Sequence, residues 1–295
     1  MKLRTAAVVA AFAMLAVGCG SESSNDAAAR PSASPSASGP SRIVSLSATA
    51  TEMLFAIGAG PQVVAVDDQS NFPAEAPKTK LSAYEPSAEA IAGYRPDLVV
   101  ISDDTKNLKA QLTKLSIPVL ISPAAKTLDD SYREITEFGQ ETGHVDEAST
   151  VVSQIRDKVA GLTKKVTART KPLTYYHELD NTLFAATSKT FIGQVYALAG
   201  LRNVADLADK QSGGYPQLSA EYLVKADPDL VFLADTKCCQ QTAATFAKRP
   251  GFGHLKAVRD GHVVLLDDDI ASRWGPRIVD FLEQVIGAVN SIPAT

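Results

Sequence analysis

Three cysteines, one tryptophan and no apolar run long enough to cross a membrane are what this 295-residue sequence is short of. Two of the cysteines, Cys238 and Cys239, are neighbours, and the third, Cys19, lies near the start. No disulfide framework can be drawn from that set, so stability must come from packing. Aromatic residues make up 6%, with Trp274 the sole tryptophan. Basic charge is not in excess, since 29 Lys and Arg stand against 33 Asp and Glu. That balance argues against a broad grip on nucleic acid, and no nucleic-acid partner is expected. The four histidines, His144, His177, His254 and His262, are scattered with no His-x-x-x-His pair. A receptor for a bare zinc or manganese ion would gather them with carboxylates, so no direct metal ligand is expected. The run Asp267-Asp268-Asp269 lacks the spacing and glycine of a calcium loop, and Asp267 and Asp268 read as a solvated strand end. Gly58-Ala59-Gly60 lacks the third glycine of a dinucleotide loop and follows a helical pattern instead of a strand. Neither a phosphate-binding Gly-x-x-x-x-Gly-Lys loop nor a Gly-x-Ser-x-Gly elbow is present.

What is present begins with an export signal. Lys2 and Arg4 precede the apolar run 6–17, which ends at Leu15-Ala16-Val17-Gly18-Cys19. A bilayer span needs about 20 apolar residues, so the run reads as a secretory leader. Small residues before a cysteine resemble a lipobox, which makes 1–18 a lipoprotein signal peptide and Cys19 the lipidated first residue of the mature chain. Removing the leader leaves a net charge of −6. Residues 19–41 are rich in Ser, Ala and Pro and hold nothing that offsets the cost of ordering. They read as a disordered tether of roughly 25 Å reach. The expected location is extracytoplasmic, anchored by lipid to the cell membrane.

From Arg42 onward short β-rich runs alternate with helical patterns. Strands are expected at 42–46, 63–66, 98–101, 119–121, 173–179, 230–233 and 263–266. Such alternation predicts an α/β fold with mostly parallel sheets. In the middle, Val145, Ala148, Val152, Ile155, Val159, Leu162 and Val166 follow a 3-4 spacing, which predicts one amphipathic helix of roughly 33 Å. The chain therefore divides into an N-terminal lobe (42–143), a connecting helix (144–170) and a C-terminal lobe (171–295). The lobes repeat. Residues 87–99 and 219–231 match at seven of thirteen positions, including Ser-Ala-Glu and Pro-Asp-Leu-Val. Each copy reads as a short helix, a Pro-Asp turn and a buried strand.

These features resemble the substrate-binding proteins of ABC importers for cobalamin, ferric siderophores and haem. The opening Arg42–Ser47 with Thr51-Glu52-Met53-Leu54, and the Glu89…Pro96-Asp97-Leu98-Val99 block, carry the resemblance. It covers roughly 42–290. It implies two Rossmann-like lobes joined by one long helix, with a ligand cleft between them. It also implies that Glu89 and Glu221 dock the membrane permease, one on each lobe. Tyr215-Pro216-x-x-Ser219-x-Glu221 and Asp269-x-x-x-Arg273-x-x-Pro276-Arg277 resemble ligand-binding stretches of cobalamin-binding members. By that match Tyr215, Phe184, Asp269 and Arg273 face the ligand, and Trp274 lines the rim. In the first lobe Gln69, Ala83 and Ser102 stand where those members carry aromatics, with Phe72 and Tyr84 close by, so this face is expected to be smaller. Cys238-Cys239 follows a strand end, where α/β folds place ligands, and could form a strained vicinal disulfide packed on the ligand.

The implied function is capture of a metal chelate, a corrinoid first and a ferric siderophore second, for delivery to an ABC permease and its ATPase subunit. The expected protein is a monomer with no enzymatic step and no cofactor of its own, the ligand carrying the cobalt or iron. The alternatives are a receptor for haem or a free divalent metal, or a chelatase-like enzyme on the same frame.

Overall fold

A computed structural model describes residues 39–294. The leader, Cys19 and most of the tether lie outside these residues. Among the described residues no helix is long and apolar enough to cross a membrane.

The first lobe runs β1 (Ile43–Leu46), α1 (Ala48–Ala56), β2 (Val63–Val66), α2 (Ala88–Ala92), β3 (Leu98–Ile101), α3 (Leu108–Lys114), β4 (Val119–Ile121) and α4 (Leu128–Thr142). Next comes α5 (Val145–Thr163). The second lobe runs β5 (Thr174–Glu178), α6 (Phe191–Leu198), β6 (Arg202–Asn203), α7 (Ala220–Ala226), β7 (Leu230–Leu233), α8 (Ala243–Ala247), α9 (Lys256–Arg259), β8 (Val263–Leu265), α10 (Asp268–Ala271) and α11 (Ile278–Ser291). Each lobe holds a four-stranded sheet, ordered β2-β1-β3-β4 and β6-β5-β7-β8. Every strand pair is parallel. Strands β1, β3 and β7 are buried along their whole length, as expected where helices cover both faces of a sheet.

The repeat in sequence is a repeat in space, because β3 and β7 hold the same place in their sheets. Its Pro-Asp turn has a physical job. Asp97 accepts the backbone N–H groups of Ser41 and Arg42 and the Ser41 hydroxyl, all at 2.9 Å. Asp229 accepts the N–H and hydroxyl of Thr174, both at 2.8 Å. Each aspartate thus ties the entry of its lobe's first strand in chain order to the strand beside it. Burial opposes the charge on both carboxylates, yet their partners hold their pKa values below the usual range: the Arg42 and Ser41 hydrogen bonds at Asp97, and at Asp229 the Lys256 ammonium at 2.5 Å first, then Thr174. Ser41, read as the end of the tether, is fixed by this contact.

The chain turns from α4 into α5 at Gly143, whose left-handed backbone (φ 79°) closes α4. The long helix stops at Thr163, three residues short of its last apolar position. The Val166 N–H bonds the Thr163 carbonyl, and the Thr167 N–H is taken by Asn290 in α11. Ala148, Ile155 and Val159 are its buried positions, with Val152, Leu162 and Val166 packed against the same core. Four elements were not expected: β6, α8, α9 and α10. The two-residue β6 is too short to show a pattern. Helix α10 replaces the solvated strand end, since Asp267 caps it by accepting the Asp269 N–H.

Candidate functional site

A concavity lies at the C-terminal ends of the first sheet, where parallel sheets place ligands. It has a volume of about 260 Å³. Leu46, Ser47, Ala48 and Thr49 come from the β1–α1 junction, Asp67 and Gln69 from the end of β2, and Ile101, Ser102, Asp103 and Thr105 from the end of β3. Ala83, Tyr84 and Leu108 complete the first-lobe wall, and the second lobe contributes Trp274. The residues expected on this face, Gln69, Ala83, Tyr84 and Ser102, are therefore together, joined by Trp274 from 172 to 205 positions away in the chain.

The β1–α1 junction carried the family resemblance in sequence but was not expected among the site residues, and its local chemistry explains its shape. Ser47 caps α1 by accepting the Ala50 N–H. The Thr51 hydroxyl joins Ser45 and Ser70, each at 2.9 Å, and the Ser70 hydroxyl donates to Asp67 at 2.5 Å. Burial pushes the Asp67 pKa up, with the Ser70 hydrogen bond opposing the shift.

Trp274 is held from behind. Its indole N–H donates to Glu134 at 2.9 Å, and its carbonyl accepts from Ser131 at 2.5 Å. Both partners belong to α4 of the first lobe. Glu134 also takes the Ser122 hydroxyl at 2.8 Å, and burial outweighs these bonds to push its pKa up.

Asp269 and Arg273, expected to face the ligand, bridge the two lobes. Arg273 Nη1 donates to Glu52 at 2.8 Å and Asn71 at 3.0 Å. Its Nη2 donates to the Gln69 carbonyl and to Asp269, both at 2.9 Å. These bonds occupy both Nη groups. Arg277 adds a two-point grip on Glu52 at 2.9 and 2.5 Å. Asp269 also accepts from Asn71 at 2.9 Å and Lys237 at 2.6 Å, and its pKa is lowered because these partners outweigh its burial. The sequence signal was there: Glu52 is the only charged residue in an otherwise apolar or small helix α1.

Other expected residues fall elsewhere. Phe72 stacks under Arg277, with the guanidinium 4.2 Å from its ring centre, and lies with Glu52, Phe55 and Pro276 at a separate hollow. Phe184 and Tyr215 lie on adjoining segments of the second lobe. Phe184 pairs with Gln217 across an antiparallel bridge, and the Ala185 N–H bonds the Pro216 carbonyl. Both rings are partly exposed, at 38% and 46%, and neither lines the cavity described above. Cys238 and Cys239 are free thiols, so the vicinal disulfide is not formed. Adjacent Cα atoms sit about 3.8 Å apart, short of the usual disulfide range. Asp268 instead shapes their loop, accepting the N–H groups of Thr236, Lys237 and Cys238 within 3.1 Å. Desolvation of the sulfur, followed by the effects of Cys239 and Asp268, pushes the Cys238 pKa up to about 12, which keeps it a neutral thiol.

His177 and Glu178 face opposite sides of β5, as alternation requires. His177 is fully buried and bonds the Tyr196 hydroxyl at 2.7 Å, and desolvation lowers its pKa to about 3. Glu178, also fully buried, takes a bidentate grip from Arg249 at 2.8 and 2.6 Å. Glu89 and Glu221 are exposed in the first turns of α2 and α7, behind serine caps at Ser87 and Ser219. Among the described residues no group of three or more His, Cys, Asp or Glu is placed to hold a metal ion.

A family model described as periplasmic binding protein matches residues 43–270. A cobalamin-binding protein of Halobacterium salinarum is 29% identical over 261 residues, covering 85% of this chain and 70% of its own. An uncharacterized ABC transporter substrate-binding lipoprotein of Bacillus subtilis is 26% identical over 259 residues, covering 85% and 80%. The apo structure of a periplasmic haem-binding protein from Roseiflexus has a TM-score of 0.75 at 25% identity, covering 86% of this chain and 99% of that one.

Proposed function

The chain belongs to the periplasmic binding protein family, and from that membership we propose that it is the extracytoplasmic receptor of an ABC importer, lipid-anchored at Cys19, for a bulky metal chelate. The observation that carries this reading is the cavity of mixed polar and apolar lining at the strand ends of the first lobe, closed on one side by Trp274 of the second. At about 260 Å³ it lies below the usual range for a whole drug-sized ligand. It is suited to one arm of a larger molecule whose body rests in the groove between the lobes.

A corrinoid is the preferred ligand and a ferric siderophore the second. The name of the Halobacterium relative supports the first. A corrinoid also suits the hydroxyl, amide and carboxylate groups of the cavity wall, which can pair with neutral amide arms. Capture needs no bond making. The two sheets are rigid, α5 packs against both α4 and α11, and the Glu52–Arg273 ion pair spans the lobes, so closure on the ligand is small. Glu89 and Glu221, at matching places on the two lobes, give the permease a two-point register. Exposed pairs of this kind contribute little affinity singly but steer association.

Isothermal titration of the mature chain with cyanocobalamin, and separately with ferric desferrioxamine, tests the reading. Saturable one-to-one binding of the corrinoid, recovered chemically unchanged, is the expected result. Binding of the iron complex alone would keep the receptor role and change the ligand. A chemically altered chelate would overturn it in favour of an enzyme.

A further inference from the structure

The cavity wall has charge of one sign only. Asp67 and Asp103 line it, and no Lys, Arg or His does. Four basic side chains near the lobe junction are paired with carboxylates. Arg273 is held by Glu52 and Asp269, and Arg277 by Glu52. Lys237 sits between Asp267 and Asp269 at 2.6 Å from each, and Lys106 pairs with Glu85 beside Tyr84. An incoming anion would meet two carboxylates on the cavity wall and would have to break an existing ion pair to recruit any of these four cations. Asp67 is only 3% exposed, so solvent screens its charge poorly.

Resting on the receptor reading above, we infer that this site selects its chelate by charge. It takes a neutral or cationic chelate whose arm offers N–H donors to Asp67 and Asp103, with the faces of Tyr84 and Trp274 available to a cation. It rejects chelates bearing carboxylate or catecholate arms. Each added negative charge within about 5 Å of such a carboxylate should weaken binding by about tenfold or more. A cationic arm should gain by a comparable factor, and that gain should shrink as salt is raised.

The test compares four probes on the mature chain: neutral cyanocobalamin, cationic ferric desferrioxamine B, haem with its two propionates, and a trianionic ferric tris-catecholate. Each is titrated against the unmodified chain and against D103K and D68K. Asp68 is exposed and next to Asp67 but does not line the cavity, so D68K controls for net charge. Both substitutions are on the surface and leave the packed core untouched. The expected result is binding of a neutral or cationic probe and at least a hundredfold weaker binding of both anions. D103K should weaken the cationic probe by about tenfold to a hundredfold and strengthen the anions, while D68K changes each by less than threefold. Anions that bind as tightly as the other probes, or equal effects of D103K and D68K, would overturn the charge inference and leave the receptor standing. Failure of all four to bind would overturn the receptor reading itself.

Discussion

Replacing Glu52 by alanine should cost about 3–5 kcal/mol of folding stability, the range for breaking a buried ion pair from one side. Glu52 is 3% exposed and is the shared carboxylate of Arg273 and Arg277. Its removal leaves two guanidinium groups in positions only 9% and 17% exposed in their side chains. Arg273 keeps Asp269, but Arg277 keeps only the face of Phe72. Urea unfolding reads the effect as a lower midpoint at unchanged slope. Glu52→Gln, which retains hydrogen-bond acceptance without the charge, should fall between the two. A loss below 1 kcal/mol for Glu52→Ala would mean that water screens the cluster. Because Glu52 belongs to the first lobe and both arginines to the second, the same variant should also weaken ligand binding by loosening the spacing of the lobes. The same reasoning applies to Arg273→Ala, which should reduce stability and affinity together.

The second large effect concerns pH. Asp235, at the end of β7, is fully buried and neither of its oxygens has a hydrogen-bond partner. It lies against Glu178. Desolvation first, then the Glu178 charge, push its pKa up to about 7, while Arg249 opposes the shift. Two ionised carboxylates can only repel, so the contact becomes a hydrogen bond when Asp235 carries a proton. In the unfolded chain this group titrates near 4. Between about pH 4 and pH 7 the folded state therefore holds a proton that the unfolded state lacks. Its contribution is complete below pH 4 and is lost as pH rises through 7, a change of order 4 kcal/mol. His177 acts in the opposite sense. Its folded pKa of about 3 lies below the unfolded value near 6.5, so its contribution is present above pH 6.5 and is lost as pH falls toward 3. The two slopes overlap, so the difference between Asp235→Asn and the unmodified chain isolates Asp235. Relative to the unmodified chain, the variant should gain stability from about pH 4 to pH 7 and level off above that, as measured by thermal unfolding. A pH-independent difference would show that Asp235 is ionised throughout or is reached by water.

The parts of this molecule that were legible in the sequence are those governed by local rules. Alternation of buried runs and helical patterns gave seven of the eight strands to within two residues at either end, because buried parallel strands are nearly continuous in Val, Ile and Leu. The Pro-Asp repeat was visible because each lobe solves the same problem, anchoring the first strand of its sheet in chain order, with the same aspartate. The helix spacing at 145–166 was visible because α5 buries one face. What stayed hidden depends on partners far apart in the chain. Arg273 and Glu52 are separated by 221 positions, and nothing in the spacing of either announces the other. The resemblance to ligand-binding stretches placed Arg273 and Asp269 near the lobe junction, but not the fact that they spend their hydrogen bonds on the protein. Asp235 and Glu178 sit at the ends of paired strands, and their shared burial follows from the sheet register. Helix α10 is a single turn whose acidic residues resemble a solvated end until Asp268 is seen holding the Cys238 loop.

The central claim, that the chelate enters the cavity closed by Trp274, has a built-in reporter because that residue is the only tryptophan in the chain. Collisional quenching by acrylamide, followed through the fluorescence lifetime so that absorption by the chelate does not intervene, measures access to its indole. With saturating cyanocobalamin the quenching constant should fall severalfold, reaching its limit at one chelate per chain. Calorimetric binding of the same chelate with the quenching constant unchanged would place the ligand elsewhere and contradict the account.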